Sequence, residues 1–416
     1  MRRERSWYQF GMRILIADKF SPSGQETLRA LGHEVIFEPA LGAGDLPGVL
    51  SQRRPDVLVV RSTEVTEAAF TAGTELALVI RAGAGVNTID LECASRRGVF
   101  VANCPGKNAI AVTELAFGLI LALDRRLCEA NAELRAGTWN KKTYGKAKGL
   151  FGRRLGLVGY GAIARELAKR GRAFGMRVAA FDPFIDRGHA EQHKVHVAPT
   201  LAELLEASDV LSVHVPFRES TRHMIGAREL ALLPDGALLI HTSRGGVVDD
   251  RALAEAVSSG RIRAGLDVYE DEPSEGLAPF DNPLAKLDGV YGTPHIGAST
   301  EQAEAAIAEE TIRIVREFAE RGTVPNVVNL DTGHTGHFAL VVRHQDRVGV
   351  LAKILEALRR HQLNVQEMSN VVFKGADGAA SATIVLENEP SAELLSDIRA
   401  HEAVLGVDLR SVADRG

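Results

Sequence analysis

The sequence predicts an α/β protein with two doubly wound parallel sheets and a small C-terminal β-α-β-β-α-β unit, and three observations carry that prediction. Short apolar runs alternate with helix-length amphipathic segments from Arg13 onward, the pattern of parallel strands covered by helices on both faces. One of these runs opens into a glycine-rich turn at Gly159 and then a helix. After Thr323 the stretch TVPNVVNLDTGHTGH, rich in Pro, Gly, Asn and Thr, reads as a linker, and strand and helix signals resume behind it in a different order.

Taken in order, strands are expected at Arg13–Asp18, Asp56–Arg61, Leu76–Arg81, Leu155–Gly159, Arg177–Asp182, Asp209–His214 and Ala237–His241. Two long helical stretches, Ala109 to about Ala136 and Thr300 to about Arg321, each lead into a segment of different character and mark lobe boundaries. The expected division is a discontinuous substrate lobe (12–105 and 300–325), an inserted second lobe (106–299), a linker (326–334) and a terminal unit (335–416). A cleft between two such lobes suits a small ligand. In the terminal unit, strands at Phe338–Arg343, Leu363–Phe373, Ala379–Leu386 and Val404–Val412, a turn at Gly375–Gly378, and helices at Val348–His361 and from Ser391 give a ferredoxin-like pattern.

Composition removes several function classes. The 416 residues, 45% hydrophobic and 25% charged, provide for two to three globular domains. With a net charge of −5 and scattered Lys and Arg, there is no extended basic surface, so no nucleic acid partner is expected. The longest apolar stretch in a candidate helix, Leu115 to Leu123, is about half of the roughly 20 residues that a bilayer span needs, so no membrane partner is expected. Cys93, Cys104 and Cys128 show no CxxC spacing and no adjoining His pattern, which points to no metal site, no disulfide framework and a cytoplasmic setting. Residues 1–11 lack an apolar core and a cleavage site, which argues against a secretory signal and leaves Met12 as a candidate start.

The turn Gly159-Tyr160-Gly161-Ala162-Ile163-Ala164 fits a Rossmann-like dinucleotide site. Gly159 permits the tight turn, Gly161 lets a pyrophosphate approach the backbone, and Ala164 serves as the third small residue where helix meets sheet. Alone the pattern is a weak signal. It gains weight from Asp182, about 20 residues on at the end of the next strand, where a carboxylate accepts from the adenosine ribose and repels a 2′-phosphate. Pro183, Phe184 and Ile185 offer no cation to reverse that preference, so the expected cofactor is NAD.

Three more segments end buried strands with polar residues: HTSRGG (241–246), GLDVYEDEP (265–273) and TPHIG (293–297). Each has a bland reading alone, as a solvated loop group. Hydride transfer from an alcohol requires removal of the hydroxyl proton, and a histidine such as His295 is the side chain whose ordinary pKa suits that task. Together with VRSTEVT (60–66), RAGAGVNTIDL (81–91), GLVGYGAIARELA (156–168), TSRGGVVDD (242–250) and TPHIGAST (293–300), these segments resemble the D-isomer-specific 2-hydroxy acid dehydrogenases, and within them the D-3-phosphoglycerate dehydrogenases, over nearly the whole chain.

The resemblance implies a catalytic triad of Arg244, Glu272 and His295, with Glu272 rather than Glu270 in the family position before Pro273. NAD would be contacted by Gly159, Gly161, Ala162, Ile163, Asp182, Val215, Thr242, Ser243, Arg244, Asp267, His295 and Gly297. The substrate would be held by Arg244 and by the backbone of Ala84, Gly85 and Val86 at its carboxylate, and by Arg61 and Ser62 at a phosphate, with Asn108 at a hinge. Trp139, Lys141 and Lys142 resemble a loop that reaches a neighbouring subunit, implying a homodimer or homotetramer. The implied activity is NAD-dependent oxidation of 3-phospho-D-glycerate to 3-phosphohydroxypyruvate, the first step of L-serine synthesis. A glyoxylate or hydroxypyruvate reductase is the alternative should Arg61 not read phosphate. An NAD-sensing corepressor of the C-terminal-binding type shares the fold and triad, and the terminal α/β unit speaks against it. The sequence departs from the family pattern at Ala162, often a longer polar residue touching the pyrophosphate, and at Ala164.

Residues 335–416 resemble an ACT domain, a module that commonly binds amino acids. In its serine-inhibited relatives a His and two Asn hold the effector. The matching positions here are His344, Asp346 and Asn364, so L-serine is the implied effector, with Asp346 as the departure because a carboxylate cannot donate as an amide does.

Overall fold

The computed structural model describes residues 11–273, 277–330, 336–374 and 378–411. The expectations for the N-terminal extension, the later part of the linker, most of the Gly375–Gly378 turn and Val412 lie outside the described residues. The chain divides into two compact units, residues 1–329 and 330–416.

The first unit carries two parallel sheets. One contains β1 (Arg13–Ile16), β2 (Glu34–Phe37), β3 (Val57–Val60), β4 (Leu78–Arg81) and β5 (Phe100–Asn103) in the order β2-β1-β3-β4-β5. The apolar runs are its central strands: all four residues of β3 are buried. Helix Glu301–Arg321 returns to this sheet and packs Ile307, Ile312, Ile314, Val315 and Phe318 against Ile14, Ile16, Val57 and Val59. Thr300 caps it by accepting from the Ala303 N–H, and Gly322, at φ 68°, ends it in the left-handed region.

The other sheet contains β6 (Arg154–Val158), β7 (Arg177–Phe181), β8 (His196–Val197), β9 (Val210–Val213), β10 (Ala237–His241), β11 (Ile262–Leu266) and β12 (Val290–Gly292), ordered β12-β11-β10-β9-β6-β7-β8. Strand order reverses between β6 and β9, which opens a crevice at their carboxyl ends. Helix Ala109–Arg125 covers one face, with Ala116, Phe117, Leu119, Ile120 and Leu123 in the same core as Leu155 and Leu157.

Two expectations are corrected. The helix expected to run from Ala109 to about Ala136 is broken at Arg126, whose φ of 53° is left-handed; a second helix, Leu127–Arg135, follows. The first helix is buried against the sheet whereas the second has no buried residue, so the chain turns away where the core ends. Arg263 stabilises the break by donating to the carbonyl of Leu123. The stretch read as a linker from residue 326 is, over its first four residues, part of the first unit. Val328 N–H donates to Val101 O at 2.8 Å, and the Asn329 side chain accepts from Val101 N–H at 2.8 Å and donates to Val99 O at 2.9 Å.

The second unit is one antiparallel sheet of β13 (Phe338–Gln345), β14 (Val365–Val372), β15 (Ala379–Leu386) and β16 (Val404–Ser411), ordered β14-β15-β13-β16, with helices Val350–Arg360 and Ala392–Arg399. Connection and order are those of the ferredoxin-like pattern. Its core joins Leu340, Val342, Ile354, Leu358, Ile384, Leu394 and Ile398. Among the described residues no helix is long and apolar enough to cross a membrane.

Candidate active site

The dinucleotide turn follows from backbone geometry. Gly159 has φ 86°, and a Cβ there would stand 3.0 Å from Val215 Cγ1, whereas a Cβ on Gly161 would meet nothing within 4 Å. Gly161 begins helix Ala162–Ala173 without a side-chain cap, so its first N–H groups point into open space. Asp182 accepts from the N–H of Tyr160 at 2.8 Å and of Phe184 at 2.9 Å, which fixes its carboxylate beside the turn. Ile163 O accepts the Thr113 hydroxyl at 3.2 Å. At the ends of β9 and β10, Thr242 Oγ1, His241 Nε2 and His214 Nδ1 are buried without a hydrogen-bond partner among the described residues. Ser243, buried beside them, lies 3.4 Å from His241 Nδ1. An uncapped helix end, an open cradle and a held carboxylate fit a dinucleotide.

Across the crevice, Glu272 Oε2 lies 2.6 Å from His295 Nδ1, while Oε1 accepts the Tyr269 N–H at 2.9 Å. Burial alone would raise the Glu272 carboxyl, but the hydrogen bond and charge of His295 outweigh it and hold the group below its ordinary value. Glu270 is engaged elsewhere, by the Asp250 N–H at 3.0 Å and by His223 at 3.1 Å. Arg244 extends from the β10 loop over the first lobe: its Nη2 would be 3.0 Å from a Cβ on Gly85. The N–H groups of Ala84, Gly85 and Val86 donate to no acceptor among the described residues, while Ala84 O is held by Asn103 Nδ2 at 2.6 Å. His295, Glu272, Arg244 and this loop thus come together. Asn108 stands at the start of helix Ala109–Arg125 with no cap made by its side chain.

Other expected site residues are occupied differently. Asp267, 1% exposed, accepts from Thr293 Oγ1 (2.6 Å), Ile296 N–H (2.8 Å) and Gly297 N–H (2.8 Å), so Asp267 and Gly297 engage each other and hold the loop that carries His295. Arg61 pairs with Glu304 at 2.9 Å, and Ser62 gives its hydroxyl to Asp18 at 2.8 Å. Asp18, which sequence reasoning missed, also accepts the N–H groups of Arg61, Ser62 and Thr63. Its signal was a carboxylate just beyond the first buried run, at the same sheet edge as Arg61. The three effector positions do not meet in one chain. His344 is buried, bonded to Gln345 O (2.8 Å) and Asn370 (3.1 Å), and Asp346 is exposed. Asn364 precedes β14 at the end that pairs with Leu386, the opposite end from Val372 and Ala380, which neighbour His344.

The NAD binding domain of the D-isomer specific 2-hydroxyacid dehydrogenases matches residues 117–297. A D-3-phosphoglycerate dehydrogenase of Methanocaldococcus jannaschii is 35% identical over 394 residues, covering 93% of this chain and 69% of the relative. A hydroxypyruvate reductase of Thermotoga maritima is 43% identical over 272 residues, covering 64% of this chain and 85% of the relative. Against a Bacillus subtilis D-3-phosphoglycerate dehydrogenase, 36% identical over 82% of this chain, the chain spans only 64% of the relative's length. Among solved structures, a D-lactate dehydrogenase from Aquifex aeolicus complexed with NAD and lactic acid superposes with a TM-score of 0.65 at 29% identity, over 77% of this chain and all of that one. The chain belongs to the D-isomer-specific 2-hydroxyacid dehydrogenase family, NAD-dependent enzymes whose cofactor-binding domain it carries.

Proposed function

We propose that this chain oxidises 3-phospho-D-glycerate to 3-phosphohydroxypyruvate, and the observation that carries the chemistry is the 2.6 Å His295–Glu272 pair facing Arg244 and the Gly83–Val86 loop. Arg244 and the free N–H groups of Ala84, Gly85 and Val86 receive the substrate carboxylate. His295 takes the hydroxyl proton on its second ring nitrogen, and Glu272 fixes the tautomer and favours the imidazolium that results. Bound NAD supplies the hydride acceptor, cradled by Gly159–Ile163, Asp182, Val215 and Thr242. Asp267 and Gly297 set the position of His295.

A second reading, a glyoxylate or hydroxypyruvate reductase, is favoured by one observation: Arg61, the expected phosphate contact, is already paired with Glu304. Initial rates with 3-phospho-D-glycerate, D-glycerate, D-lactate and 2-oxoglutarate and its hydroxy acid decide between them. Highest kcat/KM for the phosphorylated acid supports the first reading, and a preference for D-glycerate overturns it.

The assembly reading is a homodimer or homotetramer in the cytoplasm. Leu127, Leu134 and Trp139 are exposed along helix Leu127–Arg135 and the loop beyond it, with Lys141 and Lys142 following. The terminal unit reads as an ACT domain that binds L-serine between two copies, since one copy keeps Asn364 far from His344.

A further inference from the structure

β5 ends at Asn103, which pairs in register with Arg81 at the end of β4, so the Gly83–Val86 loop leaves from beside it. Two hydrogen bonds fix the carbonyl side of that loop. Cys104 N–H donates to Gly83 O at 2.9 Å, and Asn103 Nδ2 donates to Ala84 O at 2.6 Å. A trans peptide is planar, with its N–H opposed to its carbonyl. Pinning Gly83 O therefore aims the Ala84 N–H, and pinning Ala84 O aims the Gly85 N–H. Asn103 is held in turn by Asn326, the first of the residues laid along β5. Asn326 O accepts the Asn103 N–H at 3.4 Å, and Asn326 Nδ2 donates to Asn103 O at 3.2 Å and to Glu310 Oε1 at 2.7 Å. Its backbone stands at φ 55°, a left-handed conformation that asparagine adopts more readily than most residues. Glu310 is buried, yet hydrogen bonds from Arg313, Lys107 and Asn326 outweigh burial and hold its carboxyl down to about 2. It stays charged at neutral pH, and Lys107, 3.1 Å from it, lies in the segment that leads into the second lobe.

The chain of contacts runs from a fixed carboxylate through two asparagines to the peptides that face Arg244. An amide suits position 103 because Ala84 O is an acceptor: a carboxylate would repel it, and an alkyl side chain would leave it unpaired. We propose that Asn103, backed by Asn326, is a positioning residue for the reaction, a role that rests on the reading of this loop as the cradle of the substrate carboxylate. Asn103 aims the Gly85 N–H through Ala84 O, and Asn326 fixes the end of β5 from which Asn103 and Cys104 both act.

The test uses the full chain with Asn103→Ala, Asn103→Asp, Asn326→Gly and the double variant Asn103→Ala/Asn326→Gly. Glycine at 326 keeps the left-handed backbone and removes only the side chain. With whichever 2-hydroxy acid the wild type uses at highest kcat/KM, Asn103→Ala raises KM roughly 3- to 10-fold, as loss of one hydrogen bond does. Asn103→Asp raises it further. Oxalate, which carries carboxylates and no phosphoryl group, loses affinity in parallel when titrated onto the NADH complex by fluorescence, while NADH affinity stays near wild type. Asn326→Gly raises KM by a smaller factor, and the double variant falls short of the product of the two factors, because both residues act on one loop. A double variant that reaches the full product, or KM and NADH affinity lost together, overturns the proposal and leaves the two asparagines as supports of the fold. If Arg244→Lys weakens oxalate and Asn103→Ala does not, the positioning role fails and the carboxylate reading stands; if neither variant weakens it, both fail. A wild type that prefers D-glycerate yet shows the same KM pattern overturns the phosphoglycerate reading alone, and the positioning role stands.

Discussion

His295 holds φ at 50°, a left-handed backbone that costs a non-glycine residue on the order of 1–3 kcal/mol. Three hydrogen bonds from its loop to Asp267 compensate, and the imidazole is delivered to Glu272. We expect His295→Gln to lower kcat roughly 10²- to 10⁴-fold, while NADH binding followed by fluorescence stays close to wild type; turnover near the wild-type rate would remove His295 from the proton transfer. Asp182 makes a different demand, because its carboxylate is fixed by Tyr160 and Phe184 N–H groups before any cofactor arrives. Asp182→Ser should weaken use of NAD and narrow its advantage over NADP, measured as the ratio of the two kcat/KM values. An unchanged ratio would mean that another residue selects the cofactor. The triad was legible because each member follows a buried strand in a recognisable run. Asp18 was not, since nothing in a sequence distinguishes a strand-end carboxylate in solvent from one that collects the N–H groups of the loop after another strand. The work done by Asp267 was hidden likewise, because its three partners come from the loop after another strand.

At the level of elements, the carboxyl ends of β9 and β10 place His214 and His241 side by side in the core. Burial pushes His214 down to about 3 and His241 down to about 4 from an ordinary 6.5, and His241 also disfavours charge on His214. In the unfolded chain both rings take up protons near the ordinary value, so below about pH 6.5 the unfolded state binds more protons than the folded one. Stability therefore falls as pH drops from there towards 4 and is independent of these groups above that window. Denaturant melts at pH 7.5, 6 and 5 should show a falling midpoint, with His241→Asn, which keeps a polar side chain but cannot charge, flattening the trend. The same scale shows where sequence reading stops. β3 and β10 are buried throughout and announce themselves as apolar runs. β2, with no fully buried residue, and β8, two residues long, carry no such pattern and were not singled out; neither was β5, although Val101 and Ala102 are buried. The break at Arg126 was invisible because the helical pattern continues across it; only the loss of the sheet beneath ends the first helix.

For the whole molecule, the division at residues 329 and 330 makes the terminal unit separable in a test. A chain ending at Leu330 should retain turnover and lose any response to L-serine that calorimetry and rate assays detect with the full chain. A serine response in the shortened chain would place the effector on the first unit. Where that cut falls matters for a reason that lies in β5. β5 is the last strand of its sheet, and its outer row of backbone groups is covered by Asn326–Asn329, with Val327 bridged antiparallel to Ala102. An uncovered strand edge is a template on which other chains extend the sheet. A chain stopped at Gly322 would lose that cover, and light scattering should find it self-associating through β5 while the chain ending at Leu330 stays monodisperse. The four residues that resemble the start of a linker thus act as the selvage of the sheet, keeping one molecule's weave from being continued by the next.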